Sequence, residues 1–150
     1  MAAHSPTAIT STVAQGPDWL ELGARWQFRT QAEGWWRAPD LSLADLAARL
    51  GTNTAYLSRA VNEGLSMNFN EMINRMRAAE AARLIDSDSG ATMVQIALDA
   101  GFSSKATFNR VFRAAYGTSP SEFRRLRSQI SAVARESEAS SPAEPGDSSA

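Results

Sequence analysis

Two stretches decide the fold: LADLAARLGTNTAYLSRAV at residues 43–61 and QIALDAGFSSKATFNRVF at residues 95–112. In the first, Ala47 lies four residues before Gly51, and the second stretch repeats this spacing up to Gly101. A small residue at that distance lets two helices approach each other, and the glycine permits the backbone angles of the tight turn between them. Each stretch therefore predicts a helix-turn-helix unit, and the repetition makes the pattern more specific than one copy would be.

Outward from these stretches, apolar residues recur with helical periodicity, and no segment alternates as a strand would over more than a few residues. We interpret each apolar stripe as the core-facing side of a helix. The stripes are Leu43, Leu46, Ala47 and Leu50; Phe69, Met72, Ile73 and Met76; Met93, Ile96, Ala97 and Ala100; Phe108, Val111, Phe112 and Ala115; and Phe123, Leu126 and Ile130. The predicted fold class is all-α.

Between the two units, the sequence predicts one uninterrupted helix from about Phe69 to Ile85, which would span ~25 Å. A helix of this length fixes the separation of the two units. Two successive major-groove faces of B-DNA lie about 34 Å apart, so units joined by such a rod could reach adjacent groove segments without a second chain.

Helix starts are marked by polar capping residues followed three positions later by Glu or Gln, which is the spacing of a capping box. Pro120 supports one of these starts because it falls at the first helical position. The predicted boxes pair Asn68 with Glu71, Thr92 with Gln95, and Ser119 with Glu122. The first-turn amides of helices beginning near Ser42, Thr92 and Ser119 could also hold phosphates.

Composition divides the chain into four segments. We predict a disordered N-terminus at residues 1–17, a Trp-rich helical lead-in at 18–40, a double helix-turn-helix domain at 41–130, and a disordered acidic tail at 137–150. All four tryptophans, Trp19, Trp26, Trp35 and Trp36, lie in the lead-in. We interpret them as packing against the first unit, with an effector or partner surface as the alternative.

The formal net charge of −1 hides an uneven distribution. Residues 41–130 carry eleven basic and eight acidic side chains, a net of +3, whereas residues 131–150 carry a net of −3. The sum therefore does not exclude a nucleic-acid partner, because the acidity lies mostly in the tail.

Several classes of function are excluded by what the sequence lacks. It contains no cysteine, and its single histidine, His4, lies in a polar stretch without ligand partners nearby, so we expect no metal site and no cofactor. There is no constellation for nucleophilic catalysis and no phosphate-binding glycine loop, so we expect no catalytic residues and no enzyme. No stretch is long and apolar enough to span a membrane, and no secretory signal is present, which predicts a cytoplasmic protein.

At residues 41–125 the sequence resembles the DNA-binding domain of AraC/XylS-type transcriptional regulators. YLSRAVNEGLSMNFNEMINRMRAAEAARLI at 56–85 is similar to the family's first recognition helix, connector and linker helix. IALDAGFSSKATFNRVFRAAYGTSPSEFR at 96–124 is similar to the signature of its second half. Two departures stand out: Val61 replaces the usual aromatic residue at the end of the first recognition helix, and the connector reads NEGLSMNF, which includes Gly64 but differs from the commoner glycine-containing form.

The resemblance implies a homeodomain-like, AraC-type double helix-turn-helix that binds double-stranded promoter DNA, with RNA polymerase as a further partner and activation as the commoner outcome. It also implies which side chains face DNA: Asn53, Thr54, Ala55 and Arg59 in the first unit, and Ser104, Lys105, Ala106, Thr107 and Arg110 in the second. Arg59, Arg110 and Lys105 suit guanine or phosphate, and Asn53 suits adenine or phosphate.

The other arginines are assigned less directly. Arg75 and Arg77 in the linker helix are interpreted as structural, with Arg77 expected to pair with an acidic side chain near the junction of the units. Arg124, Arg125 and Arg127 are either phosphate contacts or a basic helix end.

An alternative function is a helical protein-interaction module, or a fragment of a larger membrane-linked regulator with weak DNA binding on its own. It is motivated by the modest +3 charge of the central region and by the alanines at two outward positions, Ala55 and Ala106. The family branch that the segment WWRAPDLSLADLA at 35–47 resembles commonly follows a membrane domain. Target sequence, effector and oligomeric state are left open.

Overall fold

The computed structural model describes residues 16–87 and 90–140. That part of the chain is all-helical, as predicted, with seven α-helices, one 3-10 turn and one π-helical turn. The α-helices are α1 (Trp19–Glu33), α2 (Leu43–Leu50), α3 (Thr54–Arg59), α4 (Phe69–Asp86), α5 (Met93–Asp99), α6 (Lys105–Tyr116) and α7 (Pro120–Ala139). The 3-10 turn is Trp35–Arg37 and the π-helical turn is Ala60–Gly64. No helix in the described ranges is long and apolar enough to cross a membrane.

The predicted helix starts are confirmed, but only one predicted capping box closes. At α4, the Asn68 side chain accepts from the Glu71 amide at 2.8 Å, and the Glu71 carboxylate accepts from the Asn68 amide at 3.1 Å. At α7, Ser119 accepts from the Glu122 amide, whereas the Glu122 carboxylate accepts from Arg125 instead of returning to the cap. The N-caps of α2, α4, α5 and α7 are Ser42, Asn68, Thr92 and Ser119.

The described helices enclose two apolar cores, one for each helix-turn-helix unit, and helix α4 contributes to both. The first core consists of Trp36, Leu46, Ala47, Leu50, Leu57, Val61, Met72, Ile73 and Met76. The second consists of Ala78, Ala81, Ala82, Ile85, Ile96, Ala97, Ala100, Phe102, Phe108, Val111, Phe112 and Phe123. The predicted linker helix is confirmed, and it joins the units because its two halves are buried in different cores.

Both turn glycines adopt the predicted left-handed conformation, at φ 73° for Gly51 and 96° for Gly101. Their surroundings differ. A Cβ atom on Gly51 would meet nothing within 4 Å, whereas one on Gly101 would lie 2.7 Å from the carbonyl oxygen of Trp36. The second turn therefore needs glycine for its backbone angles and also for contact with the lead-in segment.

Arg77 joins the lead-in to the linker helix. Its guanidinium donates to the carbonyl oxygens of Trp36 and Ala38, both at 2.8 Å. The prediction of an acidic partner for Arg77 is therefore wrong: its partners are backbone carbonyls. Burial lowers the pKa of Arg77 below its ordinary value, and the two carbonyls supply the hydrogen bonds that a partly buried cation needs.

A second polar link lies beside the first. Glu80 on α4 binds Arg83 on the same helix at 2.6 Å and approaches Arg37 of the lead-in at 3.8 Å. These bonds lower the pKa of the Glu80 carboxyl, with the hydrogen bond from Arg83 as the main cause. Arg37 also stacks over the Trp36 ring at 4.6 Å.

Helix α7 departs from the prediction in two ways. Of its predicted core stripe only Phe123 is buried, and Leu126 and Ile130 are 42% and 60% exposed. The helix also continues to Ala139, so residues 137–139, which were predicted to be disordered, are helical. Ala and Glu favour helix, and no proline interrupts the segment. Most of the N-terminal segment and residues 141–150 lie outside the described residues.

The connector after α3 contains one unusual backbone conformation and one close approach to α1. Ser66 has φ 55°, and among the described residues it is the only non-glycine with a positive φ. Gly64 lies so close to α1 that a Cβ atom there would meet the Trp19 carbonyl oxygen at 2.1 Å, and one on Gly23 would meet the Ala60 carbonyl oxygen at 2.7 Å. The glycines at 23 and 64 therefore let α1 pack against the π-helical turn.

We predict that Arg77→Met lowers the free energy of unfolding by about 2–4 kcal/mol, because it removes two charge-assisted hydrogen bonds to carbonyl oxygens at the junction of the units. Urea denaturation followed by circular dichroism measures this change. Arg75→Met is the matched control, since Arg75 lies on the same helix and is exposed. Equal effects of the two substitutions would contradict the assigned role of Arg77.

The two turn glycines should differ in their response to alanine. Gly51→Ala is expected to cost about 1 kcal/mol, from the left-handed backbone alone. Gly101→Ala should cost more than about 3 kcal/mol, because its Cβ would also collide with the Trp36 carbonyl. Thermal or urea unfolding of both variants tests the difference, and a cost at Gly101 no larger than at Gly51 would refute the close contact.

Candidate nucleic-acid interface

The second helix of each unit, α3 in the first and α6 in the second, is built on the same plan. Each begins at a capping side chain, Asn53 or Ser104, that accepts from the amide three residues later. Each carries an exposed arginine six residues after that cap, Arg59 or Arg110. The equivalent positions follow from the repeat, and both arginines lie on the outward side of their helices.

Buried apolar residues set the outward side of each helix. In α3, Leu57 is fully buried, and in α6, Phe108 and Phe112 are almost fully buried. Helical geometry then leaves the residues between these anchors on the solvent side. Eight of the nine predicted site residues are exposed: Asn53, Thr54, Ala55, Arg59, Ser104, Lys105, Ala106 and Arg110.

Thr107 is the exception. It is half-buried, and its hydroxyl accepts a hydrogen bond from the Ser104 hydroxyl at 2.9 Å. Ser104 also accepts from the Thr107 amide at 3.1 Å. These two residues therefore bind each other at the start of α6 and form its cap, a role that the sequence analysis did not assign to them.

Asn53 also has a structural role, because its side-chain oxygen accepts from the Tyr56 amide at 2.8 Å. This bond uses the acceptor of the side-chain amide and leaves its NH2 group available as a donor. Asn53 can therefore cap α3 and donate to a phosphate or a base at the same time.

Arg59 is held by neighbouring side chains. Its Nε atom donates to Glu63 at 2.9 Å, and its guanidinium lies 4.9 Å from the centre of the Trp19 ring. The Trp19 ring in turn contacts the Tyr56 ring, with 5.7 Å between their centres. The lead-in thus contributes a residue to the surface of the first recognition helix.

Arg110 is free of such contacts. Across residues 16–87 and 90–140 it has no ion pair or side-chain hydrogen bond, and the same holds for Arg75 and Lys105. Arg110 and Arg75 line one cleft of about 450 Å³ between α4 and α6, together with Glu71 and Asn74. Two cations of the second unit and the linker therefore border one opening without being neutralised by a contacting carboxylate.

Arg75 and Trp19 were not among the predicted site residues. The helical stripe Met72, Ile73 and Met76 could have identified Arg75, because it leaves Arg75 on the opposite, exposed side of α4. For Trp19 the sequence carries no comparable signal, since its contact with Arg59 depends on how α1 packs against the π-helical turn.

Three arginines near the start of α7 have internal partners. Arg124 donates to the carbonyl oxygen of Ala91, Arg125 pairs with Glu122 at 3.0 Å, and Arg127 approaches Asp86 at 3.4 Å. Within the described ranges, no group of three or more acidic or imidazole side chains could hold a metal ion. The chemistry available at the surface is that of guanidinium, ammonium and amide donors.

Comparisons with known proteins agree with this architecture. The family described as "Helix-turn-helix domain" matches residues 46–126. An uncharacterised HTH-type transcriptional regulator of Staphylococcus aureus (strain COL) is 35% identical over 91 residues, which are 61% of this chain and 12% of that protein. The probable transcription factor PqrA of Proteus vulgaris is 30% identical over 88 residues, which are 59% of this chain and 71% of that protein.

A solved structure shows the same arrangement of helices. It is a transcriptional regulator from Chromobacterium violaceum, described as containing an AraC-type DNA-binding domain. The match has a TM-score of 0.60 at 25% identity and covers 72% of this chain and 97% of that one.

We predict that Asn53→Ala lowers the free energy of unfolding by about 1 kcal/mol, because it removes the cap of α3. Asn53→Asp should preserve most of the stability, since a carboxylate accepts the same bond from Tyr56. Urea denaturation compares the two variants. Equal losses for Ala and Asp would show that the cap is not what Asn53 supplies to the fold.

Proposed function

The chain belongs to the AraC-type helix-turn-helix family, and from this premise we propose that it binds double-stranded DNA sequence-specifically and regulates transcription. In this proposal α3 and α6 are the recognition helices and enter adjacent segments of the major groove. The matched region is a small part of the staphylococcal relative, so the activity of any larger protein is part of the proposal.

One observation supports the proposal above the others: the two recognition helices carry equivalent exposed arginines, Arg59 and Arg110, on a pair of units held by one continuous helix. Arginine binds the O6 and N7 atoms of guanine with two parallel hydrogen bonds, and it binds phosphate as readily. Lys105, at the N-terminal end of α6, adds a positive charge where the helix would approach the backbone.

Arg59 and Arg110 differ in the internal contacts that compete with DNA for their guanidinium groups. Arg59 would have to share its guanidinium between Glu63, Trp19 and DNA, whereas Arg110 has no competing partner among the described residues. Binding therefore costs the first unit an internal ion pair that the second unit does not lose. We propose that the second unit contributes more of the affinity and that Arg75 contributes a phosphate contact at the cleft.

We also propose that the protein acts in the cytoplasm, that it occupies promoter DNA, and that it activates transcription through contact with RNA polymerase. The stiff linker helix fixes the spacing of the recognition helices, so DNA that bends easily should bind better than rigid DNA of equal sequence match.

The proposal predicts that the purified chain binds a subset of promoter fragments tightly and that Arg110→Ala weakens this binding by roughly 5- to 150-fold. Arg59→Ala should weaken it less, because Arg59 gives up its ion pair with Glu63 when it binds DNA, and that loss offsets part of its contribution. Fluorescence anisotropy over a salt series measures both effects, and each phosphate contact adds about 0.9 to the slope of log affinity against log salt.

Arg25→Ala is the matched control for Arg59→Ala. Arg25 is exposed and forms an i,i+4 ion pair with Glu21, just as Arg59 does with Glu63, but it lies on α1. Its substitution should leave DNA affinity unchanged. Uniformly weak binding to every fragment, or an equal loss in all three variants, would contradict the proposed interface and favour a helical interaction module.

A further inference from the structure

Helix α7 carries an apolar stripe that nothing in the described residues covers. Leu126, Ile130 and Val133 are 42%, 60% and 64% exposed, and with Gln129 they line a shallow groove of about 260 Å³. The stripe continues the line of Phe123, which is buried in the second core. The same helix face therefore starts inside the protein and ends on its surface.

The spacing of this face is that of a coiled-coil seam. Residues 123, 126, 130 and 133 follow one another at intervals of three, four and three, as the a and d positions of a heptad do. Such a narrow stripe suits a single partner helix lying alongside, whereas a helix packed into a globular core buries a wider face.

Among the described residues, the second half of α7 lies near the end of α4 only at one open cleft, which Ile85 and Asp86 line together with Ile130 and Arg135. Every residue from Ser128 to Ser140 is exposed to solvent. A helical segment of this length is only marginally stable alone in water, and most helical stability in proteins comes from packing of an amphipathic face. A partner on the stripe would supply that packing.

The charges of α7 indicate which partner and which orientation. The first half carries Arg124, Arg125 and Arg127 against Glu122, a net of +2, whereas the last turns carry Glu136 and Glu138 against Arg135, a net of −1. Acidic side chains at a helix C-terminus are unfavourable because they meet the negative end of the helix dipole. A second copy of α7 running in the opposite direction would place its basic half beside them.

We propose that two copies of this chain associate through antiparallel pairing of their α7 helices. With Ile130 of one copy facing Val133 of the other, Arg125 and Arg127 lie at the same height as Glu138 and Glu136 of the partner copy. The helix dipoles are antiparallel in this arrangement and reinforce the attraction. The pairing is isologous, so it closes at a dimer and does not propagate.

We expect this association to be weak. Three partly exposed apolar side chains from each copy bury far less surface area than the interface of a stable complex does. Two copies held on neighbouring DNA sites would meet at high effective concentration, which suits a contact of this size. The inference is tested without DNA, so its failure would be distinct from a failure of the proposed function.

Sedimentation equilibrium of the full chain over a wide concentration range should show a reversible monomer–dimer equilibrium. Ile130→Lys is expected to weaken it at least about tenfold, since a charge in the centre of the seam would face apolar side chains of the other copy. Leu98→Lys is the matched control, because Leu98 is similarly exposed, at 56%, but lies on α5. A chain that is monomeric at all concentrations, or an equal effect of both substitutions, would overturn the proposal.

Orientation is tested by exchanging charges. Arg125→Glu and Glu138→Arg should each weaken self-association several-fold, whereas a chain that carries both substitutions should recover it, because residues 125 and 138 of opposite charge again lie beside each other. Parallel pairing would place each residue beside its own copy, so the double variant would keep its like-charge contacts and recover nothing. A double variant that associates no better than the single variants would refute the antiparallel arrangement.

Discussion

The hydrogen bonds from Arg77 to the carbonyl oxygens of Trp36 and Ala38 are the contact on which the relative placement of the two units depends. Arg77 lies near the middle of α4, where one core ends and the other begins. The Trp36 ring is buried in the first core, while its carbonyl oxygen abuts the turn glycine of the second unit, Gly101. The lead-in therefore contacts both units at their junction.

This junction also shows what sequence reasoning could and could not reach. The helices, their starts and the shared linker helix follow from periodicity and capping residues, because these signals are local and the physics that produces them acts within a few residues. The partners of Arg77 lie about forty positions away in the sequence, and they are main-chain oxygens. Every residue offers a carbonyl, so no side-chain pattern could have singled out Trp36 and Ala38, and an acidic partner was the natural but incorrect expectation.

The prediction that Leu126 and Ile130 face the core was wrong for a related reason. Periodicity identifies the face of a helix that seeks an apolar environment, but it does not state whether that environment belongs to the same chain. Phe123 finds it in the second core, whereas Ile130, one heptad further along, has passed the edge of the fold and stays on the surface. An apolar helix face that continues beyond the buried core favours association with another chain, and the sequence indicates this once the end of the core is known.

The candidate interface contains a similar division between what repeats and what does not. Arg59 and Arg110 are equivalent by position, and the sequence alone gives them equal standing. Glu63 and Trp19 then neutralise and cover the first of them, while the second borders an open cleft with Arg75. The net contribution of a guanidinium to DNA binding is its interaction with DNA minus the internal contacts that it gives up. Two copies of one motif therefore need not bind DNA with equal strength. Helix α1 contributes to that difference through Trp19, and the π-helical turn contributes to it through Glu63.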